Sequence, residues 1–179
     1  MKKFCISFFL FAIIVLSGIS LNASNQQVSK EYLRIHIRAN SNEVIDQSVK
    51  YIVKEKVVEF LTPYIANCDT KKKAEEMLKS VLPSVISLTD SVLSERGYNY
   101  SSSANVRRES FPTRVYENLE LPSGFYDALV IELGEGKGDN WWCVVYPPLC
   151  FTEGNAKNEY RSRIIDLIND FFEKEKKFR

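Results

Sequence analysis

The chain has 179 residues, with 24 basic side chains against 23 acidic ones, one histidine and four cysteines. So even a balance excludes a protein that binds by neutralising phosphates, which needs a basic surplus to displace counterions. A single histidine and the lack of a CxxC pair exclude the common zinc-ligand patterns.

At the start, Lys2 and Lys3 precede an unbroken apolar run, Phe8 to Leu16. Ser17, Gly18 and Ser20 then dilute it, and Ala23 supplies a small residue. That order of charge, apolar run and small residue is the pattern of a secretory signal over 1–23. A retained anchor is the other reading, because 4–21 nearly reaches the ~20 residues a spanning helix needs. Leu21, three residues before the cut, is a mediocre cleavage residue, while the short apolar run favours cleavage. Cys5 lies too early to carry a lipid at the cut. Either way residues 24–179 are expected outside the cytoplasm. Lys2 and Lys3 are the only charges before Ser24, so the exported part keeps 22 basic against 23 acidic groups. Residues 24–30, SNQQVSK, read as a polar stem, 31–172 as one domain and 173–179 as a charged, frayed tail. No second long apolar run follows, and the length allows one domain with a sizeable core.

LRIHIR (33–38) alternates apolar and polar, as a half-buried strand does. Leu33, Ile35 and Ile37 are expected inside, and Arg34, His36 and Arg38 outside. Ala39-Asn40-Ser41-Asn42 breaks the strand, and Ser41 or Asn42 is suited to cap the next helix. A first helix is expected over 43–66, its apolar face stepping through Ile45, Val49, Ile52, Val53, Phe60 and Tyr64. Val57 and Leu61 widen that face, and Lys56 snorkels from it. A second is expected over 70–95, with Ala74, Leu78, Val81, Val85 and Val92 among its inward positions. Pro83 inside it predicts a kink or break, since proline removes a backbone bond. Gly97 ends this unit.

YNYSSSANVRRES (98–110) reads as an edge or solvent-facing strand. Residues 111–124, with Pro112, Pro122 and Gly124, read as a surface loop. Phe125–Leu133 and Trp142–Tyr146 read as strands joined in a hairpin by the glycine-rich segment 134–140. A last helix over 155–172 offers Tyr160, Ile164, Leu167, Ile168 and Phe171 on one face. The fold class is therefore α+β: a small mixed or antiparallel sheet of about four strands with three helices packed on it.

The densest stretch is GEGKGDNWWCVVYPPLCF (134–151). GEGKGDN fails as a phosphate loop: Gly138 follows Lys137 where a Walker loop has Ser or Thr, and strands rather than a helix flank it. The Cys–His pairings available are Cys143 or Cys150 with His36, and nothing in the spacing sets up a nucleophile and base. Glu132, Glu135 and Asp139 cluster near the turn, without showing the fixed carboxylate separation a glycosidase requires. Catalytic residues, a metal and a cofactor are thus not expected. On a straight strand the Cα atoms of Cys143 and Cys150 would stand roughly 23 Å apart, whereas a disulfide needs about 7 Å. A bridge requires the chain to turn back at 146–149, and two small buried thiols are the alternative. Trp141 and Trp142 face opposite ways on a strand.

Three segments, LRIHIRANSNEVIDQ (33–47), FPTRVYENLELPSGFYDAL (111–129) and 134–151, resemble the stage II sporulation protein R family, over about residues 31–172. The resemblance implies a signal made in the forespore and secreted into the space between the septal membranes. There it implies activation of a membrane-embedded aspartic protease that processes the sigma-E precursor. It supplies no catalytic residues, and no nucleic-acid partner or small-molecule substrate is expected. On that reading Phe111, Arg114, Lys137, Asn140, Trp141 and Trp142 are the candidate partner contacts, on a face formed by 111–116 and 134–150. An exported cell-wall hydrolase or wall-binding protein is the competing reading.

Overall fold

The computed structural model describes residues 31–116, 119–151 and 158–177; the expected signal segment and stem lie outside them. The elements run β1 (Leu33–Arg38), α1 (Val44–Ile65), α2 (Lys71–Glu95), β2 (Ser102–Phe111), β3 (Arg114–Tyr116), β4 (Leu119–Leu121), β5 (Gly124–Leu133), β6 (Asn140–Tyr146), a 3-10 turn (Leu149–Phe151) and α3 (Asn158–Lys177). The fold is α+β, with a four-stranded mixed sheet and three helices.

The sheet order is β2-β5-β1-β6, with β1 parallel to β5 and antiparallel to β6. This corrects the expected hairpin. β5 and β6 are consecutive in sequence, but β1 lies between them, so 134–140 crosses over the end of a strand. The 111–124 segment is more ordered than a loop, since β3 and β4 pair as a two-stranded ribbon of their own. β2 sits on the sheet edge, as its polar alternation suggests, and pairs with β5 without a register break.

One sheet face carries Leu33, Ile35, Ile37, Leu129, Ile131 and Leu133, all buried with the inner stripes of the helices. Helix-to-sheet links mark this face. Lys71 of α2 pairs with Asp127 at 2.6 Å, the Tyr146 hydroxyl donates to the Asp69 carbonyl, and Asp90 accepts from the Ser102 backbone and hydroxyl. Each fully buried aliphatic side chain stabilises by about 1.5–3 kcal/mol, so this layer carries most of the fold.

The inner stripe of α1 differs from the expected one. Asp46, Val49, Lys50, Val53, Val57, Leu61 and Ile65 point inward, while Ile45 and Tyr64 are exposed. Two polar groups at 46 and 50 shift the apparent phase by part of a turn, because each is buried with hydrogen-bond partners. The cap also differs: Ser41 accepts from the Glu43 amide one turn early, and Glu43 itself is the N-cap without a side-chain bond. α2 is unbroken through Pro83. That residue lies on the exposed side, where water can serve the carbonyl its ring leaves free. α3 continues through Lys177 rather than fraying at 173; Glu175 comes within 3.4 Å of the Tyr32 hydroxyl.

Candidate functional site

The glycine segment is seated on the strand-to-helix corner 39–42. Asn40 works in both directions. Its Oδ1 accepts from the Glu135 amide at 2.9 Å, and its Nδ2 donates to Asp46 at 2.8 Å. The Lys137 and Gly138 amides donate to the Asn40 and Ala39 carbonyls, and the Asp139 amide to Asn42 Oδ1. From below, buried Lys50 donates to the Asp139 carbonyl at 3.0 Å. Burial lowers the Lys50 ammonium and the Asp139 charge opposes this. Two of the glycines are required by this seat. A Cβ on Gly138 would collide with the Ser41 carbonyl, and one on Gly134 with the Asn40 side chain. Gly134 also holds φ +55°, which favours glycine.

Asp46 anchors the corner. It accepts from Asn40, Ser41 and the Tyr100 hydroxyl at 2.7–2.8 Å. Burial alone would raise this carboxyl, but those bonds hold it below the usual carboxylate value. Burial and the same Asp46 bond push the Tyr100 hydroxyl well up.

The second face of the sheet overturns the expected exposure of Arg34 and His36, both of which are fully buried. The guanidinium of Arg34 lies 4.0 Å from the Phe111 ring centre and 4.8 Å from that of Tyr126. Its Nη2 donates to the Tyr116 hydroxyl at 2.6 Å, while Nε and Nη1 have no partner among the described residues. An ion unpaired in the interior costs several kcal/mol, offset in part here by the aromatic faces. Burial lowers the Arg34 pKa, the Tyr116 bond opposes it, and Arg114 adds repulsion. His36 stacks on Trp142 with centroids 3.7 Å apart and meets Phe111 edge-on. Burial drives its pKa down to about 4; Arg38 adds to this, while Asn140, Glu109 and Glu132 oppose it. The imidazole is therefore neutral at pH 7.

Beside it the face ends in two arginines and two glutamates. Arg38 pairs with Glu109 at 3.1 Å and Glu132 at 2.9 Å, and Arg107 with the same two at 3.0 and 3.1 Å. Burial would raise the Glu132 carboxyl, but Arg107 and Arg38 hold it low.

Cys143 and Cys150 are joined, with Cα atoms 6.2 Å apart. The chain turns back at Tyr146-Pro147, a cis peptide. Neither sulfur is then available as a thiolate to pair with His36, which faces the opposite side of the sheet from Cys143. Cys68 is free and buried, its thiol raised by burial and by Asp69.

The six expected contact residues do not share one surface. Phe111 is buried among Arg34, His36, Tyr126 and Trp142, so it is a core residue of the second face and offers no contact. Trp141 is half-buried on the helix side, under the Lys54 ammonium at 6.0 Å. Lys137 is exposed at the crossover, paired to Glu135 at 2.7 Å. Trp142 and Asn140 belong to the second face, and Arg114 stands exposed on the ribbon that covers it. Arg34, His36, Tyr116 and Tyr126 went unread as a unit. The available signal was the run ALVI in β5: a strand apolar on both sides is covered on both sides.

Residues 29–176 match the family model described as stage II sporulation protein R. The chain is 32% identical over 176 residues to the stage II sporulation protein R of Bacillus subtilis (strain 168), covering 91% of this chain and 79% of that protein. No solved structure matches it.

Proposed function

The chain belongs to the stage II sporulation protein R family, and from that premise we propose that it is an exported intercellular signal of endospore formation. In this reading it is made in the forespore and reaches the space between the two septal membranes. There it activates a membrane-embedded aspartic protease, which then processes the sigma-E precursor. The protein acts as a ligand and performs no catalysis. The observation that carries the reading is a family match spanning almost the whole domain, 29–176. The N-terminal pattern of Lys2, Lys3 and the Phe8–Leu16 run supports export.

A ligand activates only by binding the active state better than the inactive one. We assign that contact to the ribbon side of the sheet, where Arg114, Asn140 and Trp142 stand, with Lys137 at its margin. The braced crossover suits this role, because a surface fixed before binding loses little freedom on association.

The test is sigma-E precursor cleavage in a non-sporulating host that makes the cognate protease, with and without this protein. Cleavage is expected only when the protein is present and exported, and deletion of residues 2–23 should abolish it. Arg114→Ala and Trp142→Ala in a stably folded chain should each reduce it. No cleavage with all three proteins well expressed would overturn the ligand reading and turn attention to wall hydrolysis.

A further inference from the structure

Among the described residues, the second face of the sheet holds a cation without a counter-ion. Arg34 is fully buried, and its Nε and Nη1 lack partners among the described residues. The acids of that face, Glu109 and Glu132, are committed to Arg38 and Arg107. A guanidinium offers two forks to an oxyanion, Nε with Nη2 and Nη1 with Nη2. Both forks share Nη2, and Nη2 is the nitrogen that the Tyr116 hydroxyl occupies. Nη2 carries two N–H groups, one in each fork, so the neutral Tyr116 hydroxyl holds one of the two forks through which a carboxylate would engage Arg34 with two bonds.

Tyr116 is placed to give way. β3 and β4 pair with each other and with no strand of the main sheet. Among the described residues the Tyr116 hydroxyl is the one hydrogen-bonding link from β3 to the sheet. Val115 and Arg114 beside it are exposed, while Leu121 and the Pro122 carbonyl bond to Tyr126 keep the far end of the ribbon seated.

We propose that Arg34 is the receptor for a carboxylate side chain of a protein partner, which enters beneath the β3–β4 ribbon and takes the place of the Tyr116 hydroxyl. The rings of Phe111 and Tyr126 flank the guanidinium and leave its edge as the binding direction. Among the described residues the neighbouring charge is Arg114, whose field favours an anion. One buried guanidinium balances one negative charge, which suits a carboxylate better than a phosphate dianion. That the partner is the protease rests on the reading above. The site itself does not, and the experiment below contains no protease.

The full chain is titrated with acetyl-Gly-Glu-Gly-amide, with acetyl-Gly-Gln-Gly-amide as the uncharged isostere and inorganic phosphate as a third arm. Binding is read from the Arg34 Nε–H resonance and from tryptophan emission, since Trp142 meets Phe111 at 4.7 Å. The glutamate peptide is expected to saturate and the glutamine peptide not to bind. Arg34→Met should weaken binding by about tenfold or more, as loss of a charge-assisted bond does. Tyr116→Phe, which removes the competing hydroxyl, should tighten it several-fold. A purely structural Arg34–Tyr116 bond predicts no such gain, and this variant carries the test if Arg34→Met does not fold. Equal behaviour of the two peptides, saturation by phosphate alone, or weaker binding by Tyr116→Phe would each overturn the proposal. Cleavage without peptide binding would remove this site and leave the activation reading standing; binding without cleavage would do the reverse.

Discussion

The imidazole of His36 lies on the indole of Trp142, ring planes 23° apart, with its Nδ1 buried and without a partner among the described residues. The arrangement holds the ring neutral, because protonation would place a charge beside Arg38 in a dry site.

That geometry sets a pH dependence. The folded pKa of about 4 lies below the unfolded value near 6.5. The contribution is therefore complete above pH ~6.5 and is lost as pH falls through the folded pKa, by up to roughly 3 kcal/mol. Urea unfolding at pH 7.5 and 4.5 should show this loss in the native chain. In His36→Phe the loss should shrink by about 2 kcal/mol. An unchanged pH slope in that variant would place the sensitivity elsewhere.

Gly138 and Gly97 should respond differently to alanine. Gly97 holds φ +78° in open space, so Gly97→Ala costs only the left-handed backbone, about 1–2 kcal/mol. Gly138→Ala must move the Ser41 backbone and should cost about 3 kcal/mol or more. Thermal unfolding of the two variants orders them directly.

The Tyr100–Asp46 bond joins α1 to the chain entering β2. Tyr100→Phe should destabilise by about 1.5–3 kcal/mol, the range for a hydrogen bond to a charged group. Asp46→Ala should also release Asn40, and with it the crossover. Faster hydrogen exchange at the Glu135 amide, which Asn40 accepts, is the expected signature. Unchanged protection there would mean that Asn40 holds the loop unaided.

The disulfide closes a short loop, sequence separation 7, so its entropic contribution is about 2 kcal/mol. The double variant Cys143→Ser, Cys150→Ser should lower the urea midpoint accordingly and leave the helical circular dichroism intact. A larger loss would point to packing of Cys150 against the Val144 backbone.

Much of the architecture was legible from local pattern. β1, the two long helices and the edge strand β2 each carry their own periodicity, and the crossover glycines announced a constrained turn. The errors share one cause. In α1, the expected inward face left out Asp46 and Lys50, because their partners, Tyr100 and the Asp139 carbonyl, come from distant segments. Pro83 read as a break because its exposure cannot be seen along the chain. Phe111, buried in the structure, read as a contact because rigid aromatic residues serve cores and surfaces alike.

The sequence by itself determined the α+β class, the order of the long helices and main-sheet strands, and the family, since these follow from periodicity and from motifs contiguous in the chain. Only the tertiary structure decided that β1 enters between β5 and β6, and that the ribbon of β3 and β4 lies over the second face of the sheet. That covering helps to turn Arg34 from a surface residue into a buried one, while Trp142 and Phe111 pack against His36. A polar side chain's environment is set by what packs on it, and Tyr116 reaches Arg34 across 82 residues of chain.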